Sequence, residues 1–257
     1  MSLSPVIVEP LDAGAVWRVT LGGSKGNVLD AALMDALAKV FRDAAASAPL
    51  RVICLEGHGA HFSFGASVQE HLPEQVMGML RRFDDLLRAL LDSHVAVIAA
   101  VRGQCLGGGL ELATLCHRII AARDAKFGQP EIVLGVFAPV ASVVLVERVG
   151  RGAAEDLCLS GRTIGAEEAF RLGLVDELCD ADPLAAALDY ARAHLVPRSA
   201  SSLRLAVQAA RAGIERRLAE DLPPIEQLYL DRLMKTDDAV EGLRAFLEKR
   251  PPVWRHR

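Results

Sequence analysis

Two carboxylates in apolar settings and two glycine-rich loops are the residues of this sequence best suited to chemistry. Glu111 lies in GQCLGGGLE (103–111), just past three consecutive glycines and ahead of Leu112 and Ala113. Glu131 lies in FGQPEIVLG (127–135), between Pro130 and Ile132. A carboxylate withdrawn from water is costly to ionise, so its pKa climbs toward neutrality, where it can give or take a proton. The Ile-Val-Leu run after Glu131 predicts that this acid is drawn inward. Glu111 reads either as such a group or as a first-turn acid answering the helix dipole.

The glycines offer a place for a second kind of group. Gly107 to Gly109 stand at a strand-to-helix junction, where first-turn N–H groups lack internal partners and can hold an anion or a polarised oxygen. The loop HFSFGAS (61–67) supplies a similar turn, with Gly65 permitting unusual backbone angles and Ala66 presenting its N–H. Two loops could therefore give one amide each to a single oxygen. Neither the GxGxxG dinucleotide pattern nor a phosphate loop ending in GK[ST] is present. His58, His61 and His71 begin as HxxH without the Glu of HExxH, so they read as loop histidines and no metal site is expected. Five cysteines without a CxxC read as reduced core thiols.

Elements that would position these loops follow from periodicity. Val6 to Val8, Val16 to Leu21, Arg51 to Leu55, Val95 to Val101 and Arg118 to Ala122 read as strands. Asp30 is a plausible N-cap for a helix with Leu33, Met34, Leu37, Val40 and Phe41 on one face, and a second amphipathic helix is expected over 74–91. Two strand, glycine loop, helix units in tandem predict an α/β layer structure with its site in loops at the strand ends. Beyond residue 153 the only strand signal is at 174–179, and helices are expected over 166–172, 184–195, 202–212, 224–235 and 238–249. Pro223 and Pro224 should interrupt the tail. A boundary is placed at 197, giving an α/β core (1–197) and a helical C-terminal region (198–257) that must pack on its own core or on another subunit.

Composition limits the function classes. With 257 residues, 51% hydrophobic and 24% charged, the chain must form a sizeable core, which excludes disorder. The 29 basic and 33 acidic side chains leave a formal charge of −4, so no global field invites nucleic acid or a membrane surface. The longest apolar run, Ile132 to Val146, is shorter than a membrane span and holds Pro139. The N-terminal stretch MSLSPVIVEP lacks the parts of a secretory signal, so a cytoplasmic location is expected.

HFSFGAS, then GQCLGGGLELA, then KFGQPEI resemble the crotonase (enoyl-CoA hydratase/isomerase) superfamily over nearly the whole chain. FSFGASVQEH, SSLRLAVQAAR and DAVEGLRAFLEKR are similar to its branch of hydratases that act on cyclic dienoyl-CoA thioesters. The resemblance implies a crotonase-like ββα spiral core with a C-terminal helical trimerisation region. It implies an oxyanion hole from the amides of Ala66 and Gly108, with Glu111 helping to hold and activate water and Glu131 exchanging a proton with the substrate carbon. Coenzyme A contacts are implied for Lys25, Asn27 and Val28 in KGNVL and for Phe246 and Lys249 in the last helix, the latter two reaching a neighbouring subunit of a homotrimer or a dimer of trimers. Lys25 could equally be a solvated loop lysine.

Phe64 and Ser67 stand where many members have a small residue and Asp, which implies a shorter or reshaped acyl pocket; Phe137 reads either as a core residue or as a wall for a compact ring. The expected partner is an acyl-CoA thioester, with no metal or redox cofactor. The alternatives are a general 2-enoyl-CoA hydratase or isomerase, and a non-catalytic relative binding CoA or RNA.

Overall fold

The computed structural model describes residues 5–257, so the first four residues of the N-terminal stretch read above lie outside it. In chain order the elements are β1 (Val6–Leu11), β2 (Val16–Leu21), α1 (Ala31–Ala46), β3 (Val52–Gly57), α2 (Val76–Asp92), β4 (Ala96–Val101), β5 (Gln104–Leu106), α3 (Gly108–Thr114) and β6 (Arg118–Ala122). They continue with β7 (Lys126–Gly128), α4 (Pro139–Val149), α5 (Arg151–Ser160), β8 (Thr163–Gly165), α6 (Ala166–Arg171), β9 (Glu177–Cys179), α7 (Pro183–Tyr190), α8 (Ala200–Asp231) and α9 (Asp237–Leu247).

Alternation along the strands explains the layers. Ile53, Leu55, Val97, Ala99 and Val101 face one core, packed with residues of α1, α2 and α3. Their neighbours Val52, Cys54, Ala96, Ile98 and Ala100 face a second core with Leu184 and Ala187 of α7. A sheet covered on both faces needs apolar residues at every position, which is why these strands read as unbroken runs. The sheet has the order β1-β2-β3-β4-β6-β9, with β1 antiparallel to β2 and the other pairs parallel. A smaller sheet, β5-β7-β8, carries the glycine loop and the approach to Glu131.

The tail departs from expectation. Pro223 and Pro224 lie inside a single 32-residue helix, α8. Each proline removes a backbone donor, which frees the carbonyls of Ala219 and Glu220 four residues earlier. Both residues are exposed, so water can take those carbonyls, while Leu218 and Leu222 stay buried on the inner face. Leu218, Leu222, Tyr229, Met234, Ala239 and Leu243 join the same core as α1 to α3. The three-residue strands β5, β7 and β8 and the helices α4 and α5 are additions to the sequence reading. No helix among the described residues is long and apolar enough to cross a membrane.

Candidate active site

The two glycine-rich loops meet. A parallel bridge pairs Leu29 with Ala66: the Leu29 N–H donates to Gly65 O at 2.9 Å and the Ser67 N–H donates to Leu29 O at 3.2 Å. Ala66 sits between those bonds, and its own N–H donates to no acceptor among the described residues. A second bridge pairs Ser63 with Cys105, which brings the loop 61–67 against β5 and the start of α3. Gly108 opens α3, so its N–H likewise has no acceptor among the described residues.

The approach is close because Gly65 has no side chain. With φ at +92° it occupies a backbone region that other residues rarely enter, and a Cβ there would meet Leu106 O at 2.7 Å and Gly108 N at 3.1 Å. A Cβ on Gly108 would in turn stand 3.2 Å from Ala66 N. The two free amides are therefore neighbours, beside a cavity of about 50 Å³ lined in part by Phe64, Ala66, His71, Gly107 and Glu131.

Glu111 is 6% exposed, and Oε1 accepts from the Ala141 N–H of α4 at 2.7 Å. Burial, reinforced by the charge of Glu131, pushes its carboxyl up to about 8, against the pull of the Ala141 and Val140 amides. Glu131 lies in a 3₁₀ turn, Pro130–Leu134, and burial pushes its carboxyl up to about 7. The reason Glu131 points inward differs from the one expected. Ile132 and Val133 are 37% and 57% exposed and pull nothing in. The 3₁₀ turn places them outside, while the carboxylate enters space left by Gly107, where Oε2 is shut off from solvent and has no hydrogen-bond partner.

Other expected residues are placed as follows. Asn27, buried at φ +51°, spends its amide on the carbonyls of His58, His61 and Phe62, tying the loop 24–28 to the loop 58–62. Val28 is half-buried, its N–H donating to Ser24 Oγ at 2.9 Å, and Lys25 is exposed. Phe64, 45% exposed, packs over Gly26 and meets the His61 ring edge-on. The Ser67 carbonyl accepts from His71 Nδ1 at 2.8 Å. Phe137 is half-buried, its ring edge-on to Tyr229, whereas Phe246 and Lys249 are exposed on α9 and just after it.

Sequence reasoning missed Gln129, His71 as a cavity residue, and Tyr229. Gln129, 1% exposed, donates through its amide nitrogen to Gly107 O (3.0 Å) and Gly128 O (3.1 Å), bracing the turn beside Glu131. Its signal was a polar residue between apolar strand and proline. Burial pushes the His71 imidazole below its ordinary value, against the pull of the Ser67 carbonyl. Tyr229 comes from α8, and nothing local marks it.

The enoyl-CoA hydratase/isomerase family model matches residues 12–257. The chain is 50% identical over 254 residues to the cyclohexa-1,5-dienecarbonyl-CoA hydratase of Thauera aromatica, covering 99% of this chain and 98% of that one. It is 34% identical to the 2,3-dehydroadipyl-CoA hydratase of Escherichia coli K12, covering 90% and 91%. The fold is similar to the crystal structure of an enoyl-CoA hydratase from Mycobacterium avium subsp. paratuberculosis K-10, with a TM-score of 0.82 at 28% identity, covering 97% and 98%. Paired free amides, a buried acid beside a half-buried one and a match across almost the full length agree: this chain belongs to the enoyl-CoA hydratase/isomerase, or crotonase, superfamily.

Proposed function

We propose that the protein is a hydro-lyase that adds water to cyclohexa-1,5-diene-1-carbonyl-CoA, giving 6-hydroxycyclohex-1-ene-1-carbonyl-CoA, a step in the anaerobic breakdown of aromatic acids. The observation that carries this reading is the adjacency of two unpaired main-chain N–H groups to two enclosed carboxyls. The amides of Ala66 and Gly108 would hold the thioester oxygen as it gains charge, a task in which each donor is worth about 10²–10³ in rate. Glu111 takes a proton from water as the water oxygen bonds to the ring, and Glu131 gives a proton to a ring carbon. The pair then holds one proton before and after addition, which suits two interacting acids whose carboxyls burial raises from 4.5 to about 8 and about 7. Addition of water moves no net electrons, so the reaction requires no redox cofactor.

The 50% identity to a hydratase of that name supports the cyclic substrate, as does Phe64 projecting over the loop beside the cavity. Lys25 and Val28 flank the route proposed for coenzyme A, on a loop that Asn27 ties down, while Phe64 and Ser67 shape the acyl pocket. Exposed Phe246 and Leu247 give α9 an apolar face, which supports a homotrimer or dimer of trimers in which Phe246 and Lys249 reach a neighbour's nucleotide. The location proposed is cytoplasmic.

The test is to offer purified protein both cyclohexa-1,5-diene-1-carbonyl-CoA and crotonyl-CoA. Higher kcat/KM on the cyclic thioester is expected. Preference for the linear one would replace this reading with a general 2-enoyl-CoA hydratase. Light scattering should give a mass of three or six chains.

A further inference from the structure

Tyr229 is 1% exposed on the inner face of α8, and its hydroxyl is shut off from solvent with no hydrogen-bond partner among the described residues. A phenylalanine would fill the same space without leaving a buried polar atom unpaired, so packing does not account for the oxygen. The Tyr229 ring meets Phe137 edge-on, with centroids 5.1 Å apart and planes at 75°. Phe137 follows Val136, whose N–H donates to Glu131 O at 3.2 Å, and precedes Ala141, whose N–H holds Glu111. That contact fixes the phenol against the short stretch to which both acids are tied.

Electrostatics agree with this placement. Burial first, then the charges of Glu131 and Glu111, push the phenol well above its ordinary value, so it stays a neutral donor throughout the range in which the acids titrate. Oε2 of Glu131, whose charge the phenol feels, is likewise buried with no hydrogen-bond partner among the described residues. A phenol that can donate and a carboxyl oxygen that can accept do not bond each other, which leaves a need for a small molecule that accepts from one and donates to the other. Water does both.

We propose that Tyr229 is a positioning residue of this site, its O–H donating to the oxygen of the water that is added and holding that water against Oε2 of Glu131. The inference rests on the hydratase reading. During addition the water oxygen bonds to one ring carbon as one water proton passes to Glu111 and Glu131 gives its proton to a second ring carbon; the other water proton stays in the product hydroxyl, and the phenol keeps its own proton and ends bonded to that hydroxyl.

The test is Tyr229→Phe, which removes one oxygen and keeps the ring contact with Phe137, assayed beside Glu111→Gln and Glu131→Gln. Expected for Tyr229→Phe is a loss of about 10- to 100-fold in kcat in both hydration and dehydration, with KM within about threefold. The acidic limb of its kcat profile should move to higher pH, because the ionised acid loses support relayed through the water. Circular dichroism at the assay temperature confines the comparison to folded protein, and Phe137→Leu, which frees the phenol while leaving its oxygen, should give a partial loss of the same kind. Wild-type kcat and an unmoved profile in Tyr229→Phe, with both Gln variants inactive, would overturn this inference and leave the hydratase reading standing. Unimpaired Gln variants would overturn both.

Discussion

A methyl group on Gly107 would stand 2.5 Å from Oε1 of Glu131, so the acid occupies the very space that an alanine would need. Gly107 also has φ at +51°. Gly107→Ala should therefore push the carboxylate aside and strain the turn. The expected result is a loss of about 10- to 100-fold in kcat, the scale set by displacing a reacting group by an ångström, with a lowered Tm. Kinetics and thermal melts on one preparation check it; unchanged kcat would show that Glu131 has room to spare.

Gly108→Ala addresses the amide pair. Its methyl would sit 3.2 Å from Ala66 N and 3.4 Å from Ala66 Cβ, close enough to crowd an oxygen out of the space between the donors. A fall of about 10²–10³ in kcat/KM is expected, comparable to losing one donor of an oxyanion hole. A loss seen only as a raised KM, with kcat unchanged, would instead mark these amides as binding groups only.

The coupled acids make stability depend on pH. Their carboxyls rise from 4.5 to about 8 and about 7 on folding, so below pH 4.5 both states are protonated and the folded state carries no penalty. As pH climbs toward 8, the unfolded chain ionises first, and stability is lost across that window. Thermal melts of the unliganded protein should show Tm falling between pH 5 and pH 8, and Glu131→Gln should flatten that slope while abolishing turnover. Identical slopes in the two proteins would count against burial of the pair. The kcat profile should be bell-shaped, with apparent values belonging to the pair and not to either acid.

Arg204 ties α8 to the C-terminal ends of α1 and α2. Its guanidinium donates to the carbonyls of Ala44, Ala45 and Ser47 at the end of α1 and to Ser93 O, at 2.7–3.2 Å. These are carbonyls that a helix leaves unpaired at its C-terminus. Arg204→Ala should lower stability by about 2 kcal/mol, lowering Tm by several degrees, with kcat at the wild-type level at 25 °C. Calorimetry alongside the activity assay measures both.

Strands β2, β3, β4 and β6 were legible because a sheet buried on both faces demands apolar residues in sequence, and α1 because Asp30 caps it, accepting from Leu33 N at 2.9 Å. The meeting of HFSFGAS with GQCLGGGLE was legible as two loops of similar design. What stayed hidden depends on distant partners. Strands β5, β7 and β8 are three residues each, too short for alternation to show, and exist through pairing with one another. Pro223 and Pro224 carry a local rule that tertiary packing of Leu222 and Tyr229 overrides. Glu131 was foreseen inside, but the hydrophobic residues credited with it lie outside, and the space was made by Gly107 across the loop.

Gly242 of α9 packs so tightly on the turn behind Glu131 that a Cβ there would come within 2.1 Å of Leu134 O. The far end of the chain is thereby the backstop for an acid more than a hundred positions upstream. Trimming the terminus, or fusing a bulky tag that levers this helix away, would damage chemistry before it damaged folding, and such a preparation would pass for a dead enzyme with an intact sheet.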